Sequence, residues 1–271
     1  MKKFLTALLA GALAVTAAVS LTACGKDDKY VATAIASAEV EQYGYCVGKN
    51  ASKHDEIIAA MNKVIANTDI DAAVSYFTSV SKGETPTATI ETVDLSGCTG
   101  GTLQVYTNSG FEPYEYISSD NKIIGVDVYL MELVCKELNM KLNVNDVDFD
   151  SICGKVASED NAVGAAGITI NDERKAQVDF SDPYYSSVQC IISKESEAFS
   201  KLSDLKGKKI GVQKGTTGAL MVAEAIESGE LKDTGASILE YDTGAVAFTA
   251  LKSGKCDFVV IDELPAKKLV A

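Results

Sequence analysis

The chain has 271 residues, 46% hydrophobic and 23% charged, with 38 acidic against 25 basic side chains and a net charge of −13. That length and apolar content suit one large or two medium globular domains and exclude a small disulfide scaffold or a disordered tail. The acidity disfavours nucleic acid and anionic lipid as partners, and with His54 the one histidine neither a histidine-based triad nor a histidine-rich metal site can be assembled from it alone.

The chain opens on Met1-Lys2-Lys3, an Ala/Leu-rich apolar run over 4–19, and Leu21-Thr22-Ala23-Cys24-Gly25. A short basic start, a short apolar run and small residues at its end read as a signal peptide rather than a membrane span. The form L-T-A-C resembles a bacterial lipobox, which implies cleavage before Cys24 and a diacylglycerol thioether on its sulfur; the plainer alternative is a secretory signal with a chance cysteine. The expectation is a lipoprotein signal peptide over 1–23 and a polar tether over 24–29. The protein is then exported and lipid-anchored to the outer face of the bacterial cell membrane.

A strand is predicted over 30–36 and another over 43–48. A helix over 53–66 puts Ile57, Ile58, Met61, Val64 and Ile65 on one face, with Ser52 as its cap and Asp55 in its first turn. A second helical pattern covers 69–78. Residues 82–100 have little periodicity and read as a linker or surface crossing. From 101 onward strands and helices alternate. Strands fall over 103–107, 141–147, 162–168, 188–193, 209–213, 237–241 and 257–261; helices fall over 126–138, 150–158, 218–228, 245–253 and from 264. Such alternation predicts parallel α/β sheets, which bind ligands at the carboxyl ends of their strands.

Apart from Cys24 there are six cysteines, Cys46, Cys98, Cys135, Cys153, Cys190 and Cys256, with no C-x-x-C spacing, so no zinc site is expected. An exported protein could pair them, but Cys135 and Cys153 fall on core-facing helix positions, and mostly free cysteines are expected. There is no G-x-G-x-x-G, no Walker A ending and no G-x-S-x-G.

The candidate chemistry gathers at the predicted strand ends. Asn108, Phe111, Glu112 and Glu115 follow the first of these strands, Thr169 and Arg174 a later one, Thr216 and Thr217 another, and Asp262 the last. A guanidinium, a carboxylate, small hydroxyls and an aromatic ring form the set that recognises an α-amino acid. The guanidinium takes the carboxylate through two parallel bonds, and the carboxylate takes the ammonium. All but one of the 25 basic residues are lysine; using Arg once, at 174, suits a position that needs a planar fork, though an exposed helix start would explain it as well. Thr216 and Thr217 suit an anion at a helix N-terminus or simply cap the helix.

Residues 101–271 resemble the extracellular solute-binding protein family 3, the amino-acid-binding proteins of ABC importers. The resemblance lies in T-N-S-G-F-E-P-Y-E-Y (107–116), I-I-G-V-D-V-Y-L-M-E-L (123–133), A-A-G-I-T-I-N-D-E-R-K-A-Q-V-D-F-S-D-P-Y-Y (165–185), L-K-G-K-K-I-G-V-Q-K-G-T-T (205–217) and A-L-K-S-G-K-C-D-F-V-V-I-D (250–262). It implies an α/β, two-lobed periplasmic-binding-protein-like fold of type II, with two hinge strands. It implies that Arg174 takes the ligand carboxylate with Thr169, Ala166, Gly167, Thr216 and Thr217 assisting, that Asp262 takes the ammonium, and that Phe111 stacks on the ligand. Asn108 and Phe149 then line the side-chain pocket, and the neutrality of Asn108 counts against a strongly cationic ligand. The implied partners are a small-molecule amino acid ligand and the membrane subunits of an ABC permease, for a monomer with no cofactor, no metal and no nucleic acid. An enzyme resembling cyclohexadienyl dehydratases, with Glu112, Glu115 or Asp262 as its carboxylate, and a ligand-sensing module are the alternatives on the same fold.

The family's return strand and closing helices stand at an unusual place. Glu41-Gln42-Tyr43-Gly44-Tyr45-Cys46-Val47-Gly48-Lys49 resembles the return strand, and 54–67 and 69–78 resemble the closing helices. A circularly permuted member is expected, or otherwise a fragment fused to the tail of a tandem copy. On the permuted reading lobe 1 covers 45–190, with 82–100 joining the former termini, and lobe 2 covers 30–44 and 191–271. The crossings are expected at 43–48 and 188–193.

Overall fold

The computed structural model describes residues 29–271; the expected signal peptide over 1–23, Cys24 and most of the expected tether lie outside them. The chain runs through β1 (Tyr30–Ala34), β2 (Glu41–Tyr43), β3 (Cys46–Gly48), α1 (His54–Asn67), α2 (Ile70–Ser81), β4 (Thr102–Thr107), β5 (Tyr116–Ile117), β6 (Ile123–Ile124), α3 (Val126–Glu137) and β7 (Lys141–Asp146). A short 3-10 turn (Phe149–Ser151) leads into α4 (Ile152–Ser158), β8 (Ala162–Gly164), α5 (Asp172–Lys175), β9 (Val178–Phe180), β10 (Tyr185–Ser187) and β11 (Gln189–Lys194). Then come β12 (Lys209–Gln213), α6 (Thr217–Glu227), β13 (Ser237–Tyr241), α7 (Gly244–Lys252), β14 (Phe258–Asp262) and α8 (Glu263–Leu269).

Two five-stranded sheets organise the molecule, in the orders β7-β4-β8-β3-β9 and β1-β11-β14-β12-β13, here called the first and second lobes. The chain passes between them through β2, which leads from β1 to β3, and β10, which leads from β9 to β11; these two short strands pair antiparallel as a ribbon. The crossings therefore sit at Glu41–Tyr43 and Tyr185–Ser187. The expected crossing strand over 188–193 is instead β11, wholly inside the second sheet. The stretch 43–48 is split, because the backbone bonds of Gly44 and Tyr45 go to Ile168 and Ser181 rather than along one ladder.

The sheets are mixed rather than parallel. Strands joined by helical crossovers, such as β4 with β7 and β8 or β12 with β13 and β14, run parallel, as that connection requires. Strands that arrive from the other lobe, β3 and β11, enter antiparallel to their neighbours.

In β14 the period of two is clean: Phe258 and Val260 face the cluster formed with Ala219, Val222 and Ala225 of α6, while Val259 and Ile261 face Ala247, Leu251 and Ala266 of α7 and α8. In the first lobe Leu103 and Val105 pack under α1 and α3, and Cys46 and Val178 pack under Ile152 and Val156 of α4. The α1 face is Ile57, Ala60, Met61 and Val64. Its expected Ser52 cap is not made: Lys53 holds the cap position without a side-chain bond, and the Ser52 backbone N–H donates to Asp160 Oδ1 at 2.8 Å. Helix α2 runs one turn further than its periodicity indicates and is capped by Asp69, whose carboxylate accepts from the Ala72 N–H at 2.9 Å. Both α1 and α2 pack on α3, and α8 packs on β1 and β11. Among the described residues the six cysteines are free and no helix is long and apolar enough to cross a membrane.

Candidate functional site

The lobes meet over a small, nearly filled cleft. From the first lobe come Phe111, Phe149, Ala166, Gly167, Thr169 and Arg174; from the second come Thr216, Thr217 and Asp262. Each stands just past a strand or at a helix start, where backbone direction changes and side chains point off the end of the sheet. Strand β8 stops at Gly164, shorter than the expected 162–168, so 165–169 is free to curl along the cleft. Gly167 has φ +54, and a Cβ there would lie 2.8 Å from Phe111 Cε1; only glycine allows the backbone to pass so close to that ring.

Arg174 is not the exposed helix start that the sequence left open: it is 8% exposed. Asn171 caps the single turn of α5 by accepting from the Arg174 N–H at 2.8 Å. The guanidinium donates from Nη1 to the Thr169 carbonyl at 2.7 Å and from Nη2 to the Gly215 carbonyl of the second lobe at 3.0 Å. It also lies 5.2 Å from the Phe149 ring centroid, a cation–π contact. Burial lowers its pKa somewhat, opposed by nearby Cys153, Cys46, Glu41 and Asp262.

Asp262 ends the fully buried β14 and is 4% exposed. The Tyr43 hydroxyl donates to its Oδ1 at 2.5 Å. Its pKa is pushed up to about 6, first by burial and then by the charge of Glu41, against the lowering effect of bonds from Tyr43 and Gln189. Thr216 caps α6, its hydroxyl accepting from the Ala219 N–H at 3.2 Å, so the cap reading holds for this residue, and the first-turn N–H groups of an 11-residue helix point outward beside it. Asn108 stands behind the lining: it donates to the Val147 carbonyl at 2.7 Å and accepts from Gln213 Nε2 at 2.8 Å, which ties the lobes together. The Lys214–Asp150 ion pair at 2.7 Å is a second such tie.

Three groups absent from the expected ligand set also belong here. Gln213 ends β12 and lines the cleft, so the strand-end rule reaches it. Glu115, named in the sequence only as a possible enzymic carboxylate, lines the cleft while 1% exposed, and its Oε2 has no hydrogen-bond partner. Burial, then the charges of Asp127 and Glu112, push its pKa well above the usual carboxylate range. Glu41 sits in the crossing ribbon against Thr169 and Thr217. It lies two residues before the buried Tyr43, hence on the same strand face, which is the signal that could have found it.

The arrangement offers a fork for a carboxylate at Arg174, a counter-charge for an ammonium at Asp262 and an unsatisfied acceptor at Glu115. A wider, open depression lies over α1–α3, but its lysines are paired, Lys63 with Glu137 and Lys136 with Glu91. Among the described residues no group of His, Cys, Asp and Glu could hold a metal.

The sequence profile of the bacterial extracellular solute-binding proteins, family 3, matches residues 103–240, just over half of the chain. The arginine-binding extracellular protein ArtP of Bacillus subtilis is 40% identical over 110 residues, 41% of this chain and 43% of the relative. The L-cystine-binding protein TcyJ of Escherichia coli is 30% identical over 172 residues, 63% of this chain and 62% of the relative. The chain thus matches less than two thirds of the length of either. Among solved structures, an ancestral arginine-binding protein bound to arginine is 37% identical with a TM-score of 0.57, covering 64% of this chain and 74% of its own. The ancestral amino-acid-binding protein AncCDT-1, a precursor of cyclohexadienyl dehydratase, is 31% identical with a TM-score of 0.54, covering 60% of this chain and 70% of its own.

Proposed function

Because the chain belongs to the bacterial extracellular solute-binding proteins of family 3, with their two-lobed type II fold, we propose that it captures an amino acid in the interlobe cleft and delivers it to the membrane subunits of an ABC permease. One observation carries the reading: Arg174 of one lobe and Asp262 of the other line the same small cleft, so a zwitterion is the ligand that engages both. Phe111 covers the ligand stem, and Thr169, Ala166, Gly167, Thr216 and Thr217 supply its polar rim. Closure of the lobes on the ligand is the state the permease reads.

The ligand is a cationic amino acid such as L-arginine. The neutrality of Asn108 no longer counts against this, since its amide is taken by Val147 and Gln213. The buried Glu115 Oε2, without a hydrogen-bond partner, favours a ligand side chain that donates a hydrogen bond to it. Calorimetry with L-arginine, L-glutamine and L-cystine tests this. A ligand at 100 times its Kd should stabilise the fold by about 2.7 kcal/mol; no binding by any proteinogenic amino acid or cystine would overturn the reading. The protein is a monomeric binder and not an enzyme, and release of an altered ligand after incubation would contradict that.

The chain is further proposed to be a lipoprotein held to the membrane by Cys24. A Cys24→Ser variant that stays with the membrane would sink that reading. The order of its parts is a circular permutation, with lobe 1 over 45–190, its former termini bridged by 82–100, and lobe 2 over 30–44 and 191–271. What supports this is that β1 pairs with β11 and packs under α8, while α1 and α2 pack on α3, all ahead of the region matching the family. Moving 30–81 to follow 271 should give a chain that folds and binds alike.

A further inference from the structure

Glu41 opens β2 in the crossing ribbon, opposite Ser187, and belongs to neither five-stranded sheet. Its Oε2 accepts from Thr169 Oγ1 at 2.8 Å and from Thr217 Oγ1 at 2.6 Å, and its Oε1 accepts from Gln189 Nε2 at 3.2 Å. Thr169 hangs from the first lobe and Thr217 begins α6 in the second. Their hydroxyl oxygens are 3.4 Å apart, so the lobes touch at this point through a shared carboxylate. The Asn108–Gln213 and Asp150–Lys214 contacts, by contrast, join the lobes directly.

We propose that Glu41 is a positioning residue of the cleft: from the hinge ribbon it ties one threonine of each lobe, favours the closed arrangement of the lobes, and fixes which way both hydroxyls point. A hydroxyl carries one proton and two lone pairs. With both protons directed at Glu41, Thr169 and Thr217 have only lone pairs left to offer, and one of those on Thr217 accepts from Gln189 Nε2 at 3.3 Å. Together with Asp262 and Glu115 they make its wall rich in acceptors, leaving Arg174 and backbone N–H groups as the donors. A closed cleft of that polarity selects a ligand with several N–H donors and one carboxylate. This last step rests on the amino-acid reading above; the tie between the lobes does not. Hydrogen bonds to an ionised group are also stronger than neutral ones, which suits a carboxylate for holding two mobile bodies together.

The test uses the purified chain, with L-arginine as the probe, and the variants Glu41→Ala and Glu41→Gln. Small-angle scattering of the ligand-free proteins should give a larger radius of gyration for Glu41→Ala than for wild type, with Glu41→Gln between them, because the amide keeps one acceptor oxygen. Stopped-flow measurements should show L-arginine leaving Glu41→Ala about tenfold faster, with association changed by less than about threefold. A residue that merely stabilised the fold would move the melting temperature without this split. Superimposable ligand-free scattering of wild type and both variants overturns the proposal. If Glu41→Ala does not fold, Glu41→Gln decides. An expanded Glu41→Gln beside a wild type that does not bind L-arginine keeps the tie and removes the ligand assignment.

Discussion

The two lobes present their charged residues by opposite means. In the first, Arg174 rides on a single turn of helix and depends on its surroundings: the Asn171 cap, two carbonyl acceptors and the face of Phe149. In the second, Asp262 is the last residue of a strand buried along its whole length, held by the Tyr43 phenol and the Gln189 amide. A long flexible cation needs several neutral contacts to fix it; a short carboxylate on a rigid strand needs few. In both cases the residues that fix the charge are neutral and leave it uncancelled. On the proposed reading each lobe alone is half of an electrostatic site, which a zwitterion would complete when the lobes meet.

Breaking either half should have the largest effect. Arg174→Lys replaces a two-bond fork with a point charge, and Asp262→Asn removes the counter-charge. Each should weaken L-arginine binding by about ten- to a hundredfold in calorimetry, the size of a lost charge-assisted hydrogen bond at a desolvated site. Wild-type affinity in both would mean that the two halves are not a site. Glu115→Gln sharpens the comparison by leaving both charges alone. It should cost about tenfold for L-arginine and little for L-glutamine, and equal losses for the two ligands would deny the cationic side-chain subsite.

The next effect is a pH dependence in which ligand affinity and fold stability move in opposite directions. Asp262 must be ionised to hold an ammonium. Affinity should therefore fall as pH drops through about 6, by up to about tenfold per unit for the one proton involved. The ligand-free fold should respond the other way. Burial raises Asp262 and Asp127 from an ordinary 3.8 to about 6, so their contribution is present below the ordinary value and is lost as pH rises through about 6. Affinity flat from pH 5 to 7 would show that Asp262 is not the ammonium partner. The smallest effect lies away from both charges. Asp69→Ala removes the cap of α2 and should lower first-lobe stability by about 1 kcal/mol, seen as a lower melting temperature with L-arginine affinity unchanged.

Most of the alternating elements from β4 onward were legible because their periods are unmixed: β12 and β13 match their predicted spans, and α3 and α7 fall within a residue of theirs. The crossings were not, because three-residue strands carry too few side chains to show a period, and what defines β2 and β10 is their pairing with each other. The strand sense is hidden for a related reason. Alternation speaks for helical crossovers, but β3 and β11 arrive from the opposite lobe. Nine of the ten residues expected to bind ligand line the cleft, since motif and strand end coincide at each; Asn108 stands one layer behind, drawn off by Gln213. The contacts of Glu41 are not legible in the sequence because they depend on two threonines brought to it from 128 and 176 positions away.

Gly215 carries a mechanical consequence. Its φ is +73, and a Cβ there would lie 2.6 Å from Asp150 Cβ on the facing lobe, well inside van der Waals contact. The bare backbone at this point lets the lobes approach this closely, beside the Arg174–Gly215 bond and the Lys214–Asp150 pair. A single methyl group would act as a doorstop: with its Cβ 2.6 Å from Asp150 Cβ and 3.0 Å from Asp150 Cα, the loop or the facing lobe has to give way, on top of the strain of φ +73. Shape, at one position without a side chain, helps to separate a trap that shuts from one that stays ajar.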